Sequence, residues 1–301
     1  MGCLSVGESK VTLPARAVIG RAPTSTIRIS DGRVSGEHAR IAWTRDGWVV
    51  RDLGSRNGTF LDGTRIPAGE DTPAPLGSAI GVGSSDPSLT LHLVDAGPPI
   101  GVARDVVSGA TVEGTPTALA LPSEDAAELT LFATAKGWLV DENPERILGD
   151  GDRVSVGGRT FELMLPSAPV ETTDTGADRS LTRREVHFQV SRDEEHVDIQ
   201  LDPEAAHQIE PRAHHYVLAV LARLRLQDRA RGLPLAEEGW VHVEDLASML
   251  RLEPGRINVD VYRSRRQFLD LGFHDAVDLV QRRRNARQLR LGLANIRVST
   301  L

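Results

Sequence analysis

Apolar residues in the first hundred positions recur in short alternating runs broken by polar, glycine-rich turns. This period-two pattern predicts β-strands. Lys10–Leu13, Ala17–Ile19, Thr26–Ile29, His38–Trp43, Trp48–Asp52 and Leu89–Val94 read as strands of a sandwich, and no helix of useful length fits between them. Asn57-Gly58, set between apolar flanks, is the strongest hairpin signal in the chain. Residues 97–166 repeat the architecture in shortened form. At an offset of 90 residues, Ile41-Ala42-Trp43 lies over Leu131-Phe132-Ala133, and Gly47-Trp48-Val49-Val50 over Gly137-Trp138-Leu139-Val140.

From Pro166 to Ser180 no apolar period survives, and Pro, Ser, Thr, Asp and Gly dominate, so residues 167–180 read as a linker. Beyond it, Val186–Val190 and Val197–Leu201 alternate as half-buried strands around a polar turn. Helical spacing then predicts helices over Ala213–Ala230, Val243–Leu250 and Gly255–Leu271. Ala276–Val280 and Gln288–Leu293 read as two strands flanking a basic tip. The fold class is multidomain: an all-β sandwich at 1–96, a shortened β module like it at 97–166, the linker, and an α+β domain at 181–301.

Charge sharpens this division. Residues 1–96 carry 10 basic and 10 acidic side chains, residues 97–167 carry 5 and 11, and residues 168–301 carry 20 and 21. Within the last part, residues 256–301 hold 10 arginines against 4 acids, a cationic end on an acidic protein. No run of about eighteen apolar residues and no basic-then-apolar leader is present, which predicts a soluble, cytoplasmic protein with no membrane partner. The one cysteine, Cys3, has no internal partner and reads as a reduced thiol near a mobile terminus.

The chemistry concentrates between Gly20 and Gly63. Val34-Ser35-Gly36-Glu37-His38-Ala39 and Asp52-Leu53-Gly54-Ser55-Arg56-Asn57-Gly58-Thr59 are small polar turns between strands. With Gly20-Arg21 just upstream, they describe a site where backbone N–H groups, hydroxyls and a guanidinium meet an anion without catalytic residues.

In Gly20-Arg21, Ile27-Arg28-Ile29, Val34-Ser35 with His38-Ala39, Asp52 to Thr59, and Asp62-Gly63, residues 10–95 resemble a forkhead-associated (FHA) domain. That resemblance implies a β-sandwich that binds phosphothreonine peptides, with Arg21 and Ser35 on the phosphate. It implies that Asn57 bonds the backbone of the peptide, that Ser55 and Arg56 share the reading loop, and that His38 braces the loop carrying Ser35. Many members carry Arg directly after the motif serine; here that position is Gly36, and the missing cation weakens the expected grip. In the repeat, Asp125 falls where Ser35 stands and Glu128 where His38 stands, so the second module is expected to have lost phosphate reading.

Residues 186–299 resemble the winged helix-turn-helix effector domain of response regulators, on Gly239-Trp240-Val241 and Asn258 to Arg266. The resemblance implies a third helix in the major groove of double-stranded DNA and a wing on the backbone. Arg256, Arg263 and Arg266 fall on one helix face, and Arg282, Arg283, Arg284 and Arg287 on the wing tip. The same arginines also suit an acidic protein surface such as the middle module. Thr172 and Thr173 in the linker form a candidate phosphorylation site, able to bind back to the FHA face or to another copy.

No nucleophile motif and no GxxxxGK loop occurs, and His207, His214 and His215 without cysteines make poor metal ligands. The expectation is a non-enzyme without metal or cofactor. Its first reading is a phosphothreonine-reading, DNA-binding transcription regulator downstream of a Ser/Thr kinase, its partner being that kinase or a substrate of it. The second is an interaction scaffold whose winged helix binds protein, and the third a regulatory subunit of a kinase or secretion machine.

Overall fold

A computed structural model describes residues 2–7, 9–44, 46–134, 136–141, 143–166, 180–202 and 207–301. Thr172 and Thr173 lie outside the described residues. The chain forms two compact units: Met1–Pro116 with Leu148–Ser155 and Thr160–Val170, and Thr117–Ile147 with Val156–Arg159 and Glu171–Leu301. The division runs through 97–166 rather than around it.

In the first unit, a five-stranded sheet has the order Ile27–Arg28, Arg16–Gly20, Ala39–Thr44, Gly47–Asp52, Thr72–Pro73. A six-stranded sheet has the order Ser9–Thr12, Cys3–Val6, Thr90–Asp95, Ala79–Val82, Thr59–Leu61, Thr64–Arg65. Inward residues of both, among them Ile19, Ile41, Trp48 and Val50 against Leu4, Ile80, Leu91 and Leu93, share one core, so the sheets form a sandwich. Gly47–Asp52 alternates half-buried and buried positions along its length, as a strand with one face on that core must. Cys3 is not at a frayed end: its strand pairs on both sides, with Thr12 and Asp95 as register partners.

Asn57-Gly58 does not close a hairpin. The strands that flank it, Gly47–Asp52 and Thr59–Leu61, belong to different sheets, so residues 53–58 cross the sandwich edge. The tight two-residue hairpin is Asp62-Gly63, with φ of 51° and 80°, joining Thr59–Leu61 to Thr64–Arg65. What turns the chain at 53–58 is a buried carboxylate, Asp52, which gathers the N–H groups of Gly54 and Ser55.

Two hairpins in the chain share a local hydrogen bond. Ala39–Thr44 and Leu129–Thr134 are the same strand 90 residues apart, each paired with the strand that follows it. Thr44 Oγ1 donates to Gly47 O at 2.8 Å, and Thr134 Oγ1 to Gly137 O at 2.8 Å. Residues 97–166 hold two four-stranded sheets, one of them ordered Ala118–Leu121, Leu129–Thr134, Gly137–Val140, Asn143–Leu148.

The second unit continues with a four-stranded sheet whose inner strands are Val186–Val190 and Val197–Leu201, and three helices follow. They are α1 (His215–Ala230), α2 (Val243–Leu250) and α3 (Pro254–Asp270). A three-stranded sheet pairs Val241–His242 with Gln288–Leu291, and that strand with Val280–Arg283. Of the expected strand Ala276–Val280, Ala276–Leu279 is a 3-10 turn and only Val280 is extended, opening the strand Val280–Arg283. Asp275 at the start of the 3-10 turn accepts from Leu181 N, Thr182 N and the hydroxyls of Ser180 and Thr182, which fixes the chain in a turn. A Cβ at Gly292 would stand 1.7 Å from Asp278 O, so only glycine lets the chain leaving the strand Gln288–Leu291 pass this turn.

Candidate functional site

Three turns meet at one end of the sandwich: 21–26, 29–38 and 53–58. Arg21 N donates to Ser35 O at 2.9 Å and Ala22 N to Gly36 O at 3.0 Å, which fastens the first turn to the second. Gly20 is required there, because a Cβ would lie 2.0 Å from Gly36 O. His38, fully buried, ties the second turn to the third. Its Nδ1 accepts from Ser35 N at 3.0 Å, so its Nε2 carries the proton and donates to Gly58 O at 3.0 Å.

Asp52 organises the third turn from beneath and was missed in the sequence as a site residue. Only 2% exposed, it accepts from Gly54 N, Ser55 N, Ser55 Oγ at 2.6 Å and Thr59 Oγ1 at 2.6 Å. Burial works to raise its pKa, but the hydroxyls of Ser55 and Thr59 and the two N–H groups outweigh it and hold the carboxyl below its ordinary value. The signal for Asp52 was its place at the end of a strand ahead of a Gly-Ser turn, where a short carboxylate caps successive N–H groups.

This network separates the expected ligand residues into two groups. Ser55 is spent on the turn: its proton goes to Asp52 and its oxygen accepts from Gly58 N at 2.9 Å. Asn57 Nδ2 donates to Arg33 O at 2.8 Å, which ties turn 53–58 to turn 29–38. Ser35, Arg21 and Arg56 point differently. Ser35 Oγ accepts Arg56 N at 3.2 Å and keeps its own proton. Among the described residues Arg21 bonds through Nε alone, to Val34 O at 3.2 Å, and both terminal nitrogens remain. Arg21 and Arg56 are exposed, and neither they nor the exposed Arg28 pairs with a carboxylate among the described residues. Other arginines of this unit are neutralised: Arg33 by Asp31 and Asp86, Arg40 and Arg51 by Asp71. A hollow of about 440 Å³ bounded by Arg21, Arg28, Ser30 and Gly36 adjoins these free cations.

A family model for the FHA domain matches residues 17–83, the span that builds these three turns. Residues 17–83 are an FHA domain. Curated relatives include the FHA domain-containing protein FhaB of Mycobacterium tuberculosis, 36% identical over 78 residues, covering 26% of this chain and 49% of that protein. FhaB of Mycolicibacterium smegmatis is 36% identical over 82 residues, covering 27% of this chain and 52% of that protein. The chain thus spans about half the length of these relatives. Among solved structures, the N-terminal FHA domain of S. cerevisiae Rad53p in complex with a phosphothreonine peptide is 22% identical. It covers 31% of this chain and 89% of that one, with a TM-score of 0.27. FHA domains are phosphopeptide-binding modules, not enzymes.

Outside the FHA domain, the second unit holds the arginines expected on DNA, and most have partners. Arg256 pairs with Asp260 at 3.0 Å, and Arg287 with Glu244 at 2.8 Å. Arg283 pairs with Glu237 at 2.9 Å and stacks on Trp240, its guanidinium 4.2 Å from the ring centre. Arg263 pairs with Asp125 at 2.5 Å and Arg266 with Glu124. Arg282 reaches Asp141 at 2.8 Å and Asn258 Oδ1 at 3.1 Å. Arg284 opens a 3-10 turn between the strands Val280–Arg283 and Gln288–Leu291, and its side chain lies outside the described residues. No group of three metal-ligating side chains occurs among the described residues, and no described helix is long and apolar enough to cross a membrane.

Proposed function

We propose that this chain reads phosphothreonine peptides through its FHA domain, as an adaptor acting downstream of Ser/Thr kinase signalling. The observation that carries this reading is the division of labour at the three turns. Asp52, Ser55 and His38 are engaged in holding the turns and Asn57 lends them one amide N–H, while Arg21, Ser35 and Arg56 keep donors for a ligand. A phosphate at neutral pH brings nearly two negative charges and three acceptor oxygens, which match two guanidiniums and a hydroxyl. The γ-methyl of threonine and the residues after it are expected on turn 53–58.

The test is titration of the whole chain with one peptide in three forms: phosphothreonine, phosphoserine and unmodified threonine. Binding confined to the phosphothreonine form, and lost in Arg21→Ala and Ser35→Ala, is expected. Equal binding of the unmodified peptide ends the reading.

The output side of the proposal is a DNA-binding regulator of transcription. The succession of four-stranded sheet, three helices and terminal hairpin supports it, as does the arginine density of α3 and the hairpin. A second reading, in which the helical part binds protein, is favoured by a specific observation: Arg263, Arg266 and Arg282 already hold carboxylates from residues 117–147.

A further inference from the structure

A helix that reads DNA packs one face on its domain and leaves the other open to the groove. In α3 the buried positions wrap well over half the circumference. Ile257, Val261, Ser264 and Phe268 form one stripe, and Val259, Tyr262, Arg265 and Leu269 continue burial onto the neighbouring face. The second stripe is covered by the chain's own β-sheet. Phe132 lies against Tyr262, ring centres 5.9 Å apart, and Arg265 stacks over Phe132 at 5.4 Å. Ala118, Ala120, Ala127 and Phe132 join the helical residues in one continuous core.

Charge completes the cover. Asp141, 4% exposed, sits between Arg265 and Arg282 and pairs with both. At the rim, the 3-10 turn Glu124–Ala126 brings Glu124 to Arg266 and Asp125 to Arg263. A carboxylate beside a guanidinium occupies the place and cancels the charge that a DNA phosphate needs. The turn precedes the strand Leu129–Thr134 as the Ser35 turn precedes Ala39–Thr44, and it presents carboxylates to α3.

We infer that Glu124, Asp125 and Asp141 act as phosphate substitutes, so that the sheet of residues 118–148 masks the arginine face of α3 and keeps duplex DNA off it. The mask rests on the DNA reading proposed above and adds the occupant that competes with DNA. Its rim is the part open to exchange. Glu124 and Asp125 have side chains 39% and 84% exposed, and a cleft of about 360 Å³ bordered by Glu124, Arg263 and Arg266 admits solvent to these pairs. The Asp141 pairs are closed to solvent and anchor the sheet when the rim is perturbed.

The experiment uses the full chain and a labelled mixed-sequence duplex DNA at fixed low salt, with fluorescence anisotropy as the readout. The double variant Glu124→Gln, Asp125→Asn removes the rim anions at exposed positions and leaves Asp141 in place. It is expected to bind at least about tenfold more tightly than the parent, with the slope of log affinity against log salt steeper by about two. Adding Arg263→Ala and Arg266→Ala must abolish the gain. A control, Asp193→Asn with Glu195→Gln, removes the same charge from the exposed turn after Val190 and should leave binding unchanged.

A parent chain that binds as tightly as the rim variant overturns the mask while leaving the DNA reading in place. A gain equal to that of the control overturns it as a net-charge effect. If neither parent nor rim variant binds, while both still bind phosphothreonine peptide, the mask and the DNA reading fall together.

Discussion

At the scale of single residues, the FHA turns show how a loop is made rigid so that a few groups remain free. Asp52 serves four donors at once, and removing it leaves the fully buried Thr59 hydroxyl without its acceptor. Asp52→Ala should therefore cost about 3 kcal/mol, read from the urea midpoint of the FHA transition, and weaken phosphopeptide binding through a loosened turn. Because its pKa is lowered in the folded state, the contribution is present above about pH 4. It is lost as pH falls through the folded value, and the Asp52→Asn variant should show a flatter acid limb. Arg21→Ala is the contrasting case. It should lower phosphothreonine-peptide affinity about tenfold or more while leaving the melting temperature within about a degree, since its side chain makes one bond to Val34 O. The motif residues were legible because their types and spacing match the family. That Ser55 and Asn57 are used inside the loop was not, since only geometry shows where their protons go.

At the scale of elements, helices were more legible than turns. The expected helix over Ala213–Ala230 is α1 at His215–Ala230, and Val243–Leu250 is α2 with identical ends. Asn57-Gly58 misled because a local turn preference cannot show that its flanking strands enter different sheets. That depends on the buried carboxylate at Asp52, whose partners lie on both sides of the turn. The junction of α1 and α3 carries a consequence for pH. Gln267 Oε1 accepts from Nε2 of His214 at 3.0 Å and of His215 at 2.7 Å. Burial lowers His214 from 6.5 to about 4, against the Gln267 bond and helped by the charges of His215, Arg263 and Arg212; His215 is lowered for the same leading reason. The unfolded chain thus binds more protons than the folded one below about pH 6.5, and this unit should lose stability as pH falls from there toward 4. Asp260, Asp270 and Asp278, raised by burial, work in the opposite sense. His214→Gln isolates the histidine part: the decline in urea midpoint between pH 6.5 and 4 should shrink, and an unchanged decline would remove His214 as its source.

At the scale of the whole molecule, the acidic middle and basic end were both visible in the sequence, and the reason for their opposition was not. A net charge per segment says that two parts attract, but the pairing of Asp141 with Arg265 and Arg282 joins residues more than 120 positions apart and is set by tertiary packing. The compact units predict how the chain comes apart. Two units with separate cores should unfold in two calorimetric steps rather than one. Asp52→Ala should move only the step that belongs to the FHA domain. Asp141→Asn leaves Arg265, 2% exposed, with an uncompensated charge in the interior and should lower the other step by an amount corresponding to about 3–5 kcal/mol. Replacing Asp141, Arg265 and Arg282 together by apolar residues of similar volume should restore much of that loss, because the desolvation cost goes with the charges. A single transition that shifts equally with Asp52→Ala and Asp141→Asn would show instead that the two cores melt as one, and that a change at either reaches the other.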